Sequence, residues 1–133
     1  MTPDELLAAA NGLMQRPDTL IAGIWPRAAA LLARQALEAA MAELWASDRQ
    51  TAGMSRRTMR SQLLCLTAYL DPGTARQAAY LFAALSRACH YHPYELAPTA
   101  AELAGWLAQA AQIVTQLQAA SGSDRSAGAR SGD

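Results

Sequence analysis

PRAAALLARQALEAAMAELWA, residues 26–46, is the stretch that decides the fold. Its one proline stands first, where the fixed φ of the ring suits the opening turn of a helix. No glycine and no second proline follow before Ala46. Leu31, Leu32, Gln35, Met41, Leu44 and Trp45 return near one side at helical spacing, while Arg34, Glu38 and Glu43 fall elsewhere. This predicts the longest helix of the chain, from Pro26 to about Ala46, with one face for a core or an interface.

Working outward from it, the same signals recur. Upstream, Thr2-Pro3-Asp4-Glu5 reads as a capping box opening a first helix that ends near Arg16, because Pro17 follows. Asp18 is expected to cap a short segment through Ile24. Downstream, Asp48 to Met54 is a polar turn around Gly53, and Ser55 is expected to cap a third helix through Leu70. Arg56, Arg57 and Arg60 would then lie in its first turns, against the helix dipole, which calls for a facing carboxylate or an anion from a partner. Asp71-Pro72-Gly73 is a turn, and a fourth helix runs from about Thr74 to Tyr91. Pro93 biases His92 away from helical geometry and stops that helix. After a short connection from Tyr94 to Pro98, Thr99 and Glu102 form a second capping box. The helix they open carries Leu103, Trp106, Leu107, Ala110, Ile113, Val114 and Leu117 at helical spacing through about Ala119. Residues 120–133, rich in Ser and Gly, are expected to be a flexible tail. The expectation is an all-α antiparallel bundle of four to five helices in one domain, residues 1–119, with no strand pattern and no repeat.

Length and composition agree. At 133 residues the chain suits one domain. Just over half the residues are apolar, but many are alanines, which make a thin core and point to a second copy covering apolar surface. The formal net charge is zero, yet residues 49–90 balance to +5, six arginines against Asp71. Such a segment is either a footprint for a phosphate backbone or a solvated arginine face. All basic residues are Arg, which with so much Ala suits a GC-rich bacterial genome. Cys65 and Cys89 form no disulfide framework and read as reduced cytoplasmic thiols. Neither a leader peptide nor a membrane span is expected.

Chemistry concentrates in Arg87-Ala88-Cys89-His90-Tyr91-His92-Pro93-Tyr94, which holds both histidines. A guanidinium grips two phosphate oxygens at once, and an imidazole carries protons near neutrality. RNA supplies its own nucleophile in the 2′-hydroxyl, so an Arg–His pair could cleave it without a metal or cofactor. Two copies meeting about a twofold axis would double so sparse a set. Other readings of these residues stand beside this one. Arg87 and His92 could simply finish a helix, where positive charge is favourable. Cys89, His90 and His92, with Cys65, could bind zinc, or Cys89 could be a nucleophile paired with His92. Tyr80, Trp45 and Trp106 read as core or interface residues before base-stacking platforms.

Arg87, four residues, His92, one residue, Tyr94 resembles the Arg-x4-His-x-Tyr signature of HEPN-domain ribonucleases. More narrowly, it is similar to the toxins paired with minimal nucleotidyltransferase antitoxins. LLARQALEAAMAELW (31–45) resembles that family's first long helix, and PTAAELAGWLAQAAQIVTQL (98–117) its last. Ala88 stands where the family usually carries a polar residue. The resemblance implies a helical homodimer with both motifs in one cleft and metal-independent RNA cleavage by a toxin or defence effector. It makes Arg87 and His92 the catalytic candidates and Tyr94 a candidate AMP acceptor for a nucleotidyltransferase antitoxin. Arg56, Arg57, Arg60 and His90 are weaker candidates for holding RNA. The alternative is a catalytically silent HEPN-like dimer that binds RNA, a nucleotide or another protein.

Overall fold

A computed structural model of the chain describes residues 1–15, 25–90 and 96–130, with the side chains of the last helix described as far as Gly122. Among the described residues five α-helices make the bundle: α1 (Pro3–Gln15), α2 (Trp25–Ala46), α3 (Met59–Cys65), α4 (Pro72–Cys89) and α5 (Ala100–Arg130). No strand occurs among the described residues. Short 3-10 turns at Ala52–Arg56 and Leu66–Ala68 flank α3. The segment expected to be helical from Asp18 to Ile24 lies outside the described residues.

Three of the helix starts expected from sequence carry side-chain caps. Thr2 N donates to Glu5 Oε2 at 2.9 Å and Glu5 N to Thr2 Oγ1 at 3.1 Å, a reciprocal box. Thr99 and Glu102 repeat it at the start of α5. Asp71 caps α4 by accepting from Thr74 N, so that Pro72 and Gly73, expected to belong to a turn before a start near Thr74, already lie in the first turn of the helix. The start of α3 is different. Thr58, not Ser55, is its cap, accepting from Ser61 N at 3.2 Å. Arg56 and Arg57 therefore precede the helix, and only Arg60 lies in its first turn. The other end also shifts: α3 tightens into 3-10 geometry at Leu66 instead of running to Leu70.

α2 is the hub, packed against α1, α4 and α5. Its buried face differs from the one its large residues suggest. Met41, Leu44 and Trp45 are buried as expected, but Leu31 and Gln35 are exposed. The core stripe is made instead by Ala29, Ala30, Ala33, Ala36 and Ala40, with Leu37. Side chains this small let helix backbones approach closely, at the cost of little apolar burial, about 0.8 kcal/mol per methylene-sized group. The larger contributions come from Leu66, Leu81, Leu85, Leu103, Ile113 and Leu117, each almost fully buried and each contributing about 1.5–3 kcal/mol. On α5 every expected apolar position is buried except Trp106, which is half-buried.

α5 continues past Ala119, its expected end, to Arg130. Nothing in 120–130 breaks a helix as proline would. Ser121 is buried and its hydroxyl donates to the Leu117 carbonyl, which keeps that polar side chain satisfied inside the helix. No helix among the described residues is long and apolar enough to cross a membrane.

Candidate functional site

α4 carries Arg87 to the place where the helix ends. Its buried residues, Ala75, Ala78, Leu81, Ala84 and Leu85, keep one face against the bundle. Arg76, Tyr80, Ala83 and Arg87 fall at the opposite spacing and are all exposed. The helix stops at Cys89, two residues before the expected boundary. His90 takes extended geometry (φ −86°, ψ 138°), and its N–H donates to the Arg87 carbonyl. This i→i−3 bond tightens the last turn and satisfies one orphan carbonyl. On an unbroken helix, His92 would lie about 140° round from Arg87. The early break releases the chain from that register. His92 and Tyr94 themselves lie outside the described residues.

Beside this helix end lies an open cavity of about 680 Å³, within the range of small-ligand sites. Arg87 and His90 come to it from the end of α4, Tyr80 from the middle of that helix, Arg27 from the first turn of α2, and Glu102 and Trp106 from α5. Leu96 to Thr99 close one side. The Glu102 carboxylate is held in place by the Thr99 amide and hydroxyl, at 3.2 and 3.1 Å. Arg87 has no carboxylate partner among the described residues. Its position in the last turn of α4 is favoured by the negative end of the helix dipole. Tyr80 is 65% exposed, so of its two expected roles, core or interface, it does not fill the first. Trp45 is buried against Tyr69 in an edge-to-face pair.

Of the expected site residues, the fold brings Arg87 and His90 to this cavity. Arg56 and Arg57 lie exposed on the connection before α3, and Arg60 lines a separate groove between α3 and α4. Arg27 and Glu102 were not foreseen as part of the site. They come from distant helices, and no local pattern in their own segments marks them.

The cysteine readings gain nothing. Burial pushes the Cys89 thiol above its ordinary pKa; Arg34 pulls it down and Glu38 pushes it up, both as weaker effects. A thiol held neutral is a poor nucleophile. Cys65 is exposed, and no group of three or more metal-ligating side chains occurs among the described residues.

Arranged this way, the cavity can receive an anion at Arg87 and a flat ring against Tyr80 or Trp106. No protein-family model, curated protein or solved structure matches the chain.

Proposed function

We propose that the chain is a metal-independent endoribonuclease, a toxin or defence effector working as a homodimer with a composite Arg/His site. The observation that carries this reading is Arg87: an arginine with no carboxylate partner among the described residues, at a broken helix end, lining a cavity that also holds His90 and Arg27. Arg87 binds the scissile phosphate and stabilises its growing negative charge. His92 takes the proton from the 2′-hydroxyl as that oxygen attacks phosphorus. The P–O5′ bond breaks, and the leaving 5′-oxygen receives a proton from the imidazolium of the second copy. The products are a 2′,3′-cyclic phosphate and a 5′-hydroxyl. A minimal nucleotidyltransferase acting on Tyr94 would switch the site off, because an added phosphate and base bring negative charge and bulk to the place RNA must enter.

Incubation of purified protein with RNA in the presence of a chelator tests the reading. Cleavage should persist and leave cyclic phosphate ends. Arg87→Ala and His92→Ala should each slow it about 10²–10⁴-fold, the usual loss for a positioned catalytic group, and His90→Ala far less. RNA that is bound but never cut would assign the chain to the silent binding module instead.

A further inference from the structure

A second concavity lies away from the Arg87 cavity, between α3 and α4. Met59, Leu63 and Leu64 form one wall, and Ala79 and Phe82 the other, around about 370 Å³. Its lining is almost wholly apolar. Leu64 is 68% exposed at its edge, a large apolar side chain that the bundle itself leaves uncovered. One arginine stands on each wall, Arg60 in the first turn of α3 and Arg76 near the start of α4. The sequence placed Arg60 against the dipole of its helix and so called for a facing carboxylate or an anion from a partner. No carboxylate among the described residues pairs with Arg60 or Arg76. Asp71, the one acid in the basic segment, is spent on capping α4 through Thr74.

We propose that this groove is a docking site for an amphipathic helix of a partner protein, with Leu-type side chains in the groove and Asp or Glu on its flanks. Both walls are helices, whose backbone groups are already bonded internally, so no strand can be added here. Recognition has to come through side chains, as in helix-in-groove binding. Apolar anchors fit Leu63, Leu64 and Phe82, and flanking carboxylates fit Arg60 and Arg76. RNA is the poorer fit, because apart from the two arginines the lining is almost wholly apolar and offers base edges little to bond. The one hydroxyl in the lining, Thr67, already donates to the Leu64 carbonyl at 3.0 Å.

The test uses full-length protein and two labelled helical peptides with leucines at i, i+3, i+4 and i+7. One peptide is flanked by Glu, the other by Lys. Fluorescence anisotropy should show micromolar binding of the Glu peptide only. Leu64→Asp, at an exposed position that folding does not need, should weaken it at least about tenfold, as loss of an anchor does. The double variant Arg60→Glu/Arg76→Glu should lose the Glu peptide and gain the Lys peptide. Absence of binding overturns the proposal. So does equal affinity for both peptides, or competition by anionic vesicles that leaves protein on lipid and not on peptide. A halving of native mass in Leu64→Asp, read by light scattering, overturns it in favour of an interface between two copies.

Discussion

Trp45 Nε1 donates to Gln62 Oε1 at 2.9 Å, joining the end of α2 to α3 through a buried bond. Gln62 is 6% exposed and Trp45 1%. The amide group of Gln62 in turn donates to the Arg57 carbonyl at 2.9 Å. One side chain thus fixes both the indole and the connection that precedes α3.

Gln62→Ala should cost about 1–3 kcal/mol of unfolding free energy, because the indole N–H is left buried and unpaired. Urea denaturation followed by tryptophan fluorescence checks this. A midpoint equal to that of the wild-type protein would mean that water replaces the lost partner.

Asp71 titrates below the ordinary carboxylate range, chiefly because the Thr74 hydroxyl donates to it, then because the Thr74 amide does. A carboxyl whose pKa is lowered by folding stabilises the fold above its unfolded pKa. That contribution is lost as pH falls through the folded value. The start of α4 should therefore loosen on acidification below about pH 4. Protection of the Thr74 amide against hydrogen exchange should fall there in wild type. In Asp71→Asn, which still caps but does not titrate, the fall should be absent.

The two thiols should react at different rates. Cys65 is exposed, whereas Cys89 is half-buried with its pKa raised. With iodoacetamide near neutral pH, mass spectrometry should find Cys65 alkylated first. Raising the pH should accelerate Cys89 only above the range of an ordinary thiol. Preferential modification of Cys89 at neutral pH would revive it as a nucleophile.

Exposure of the protein to ATP and a cognate minimal nucleotidyltransferase should add adenylyl mass to wild type and none to Tyr94→Phe, which lacks only the acceptor hydroxyl. The modified protein should no longer cut RNA. Modification that persists in Tyr94→Phe would remove this tyrosine from the proposed switch.

What could be read from the chain follows the range of the interactions involved. Caps and turns are local, so Thr2–Glu5, Thr99–Glu102 and the stop near Pro93 were legible within a residue or two. The start of α3 was not, because Ser55 and Thr58 are both suitable caps, and only the buried anchor at Gln62 decides between them. The inner face of α2 was only partly legible because alanine is compatible with core and surface alike, while Leu31 and Gln35 drew the stripe too far round. A lone glutamine at Gln62, among Leu63, Leu64 and Leu66, was the available sign of a buried polar contact. At the candidate site, Arg87 and His90 stood out as sequence neighbours. Arg27 and Glu102 reach the cavity only through packing of α2 and α5, which no local pattern encodes.

The alanines of α2 act as spacers for everything mounted on the bundle. Arg27, Arg87 and Trp106 ride on three different helices, and α2 touches both of the others. The spacing between α2 and its neighbours is gauged in part by the buried methyl groups of Ala33, Ala36 and Ala40. A valine at one of these positions would act as a shim, prising two helices apart without touching the cavity. The aperture would widen by a distance set inside the core, so the fit of whatever enters could be tuned by residues that never meet it.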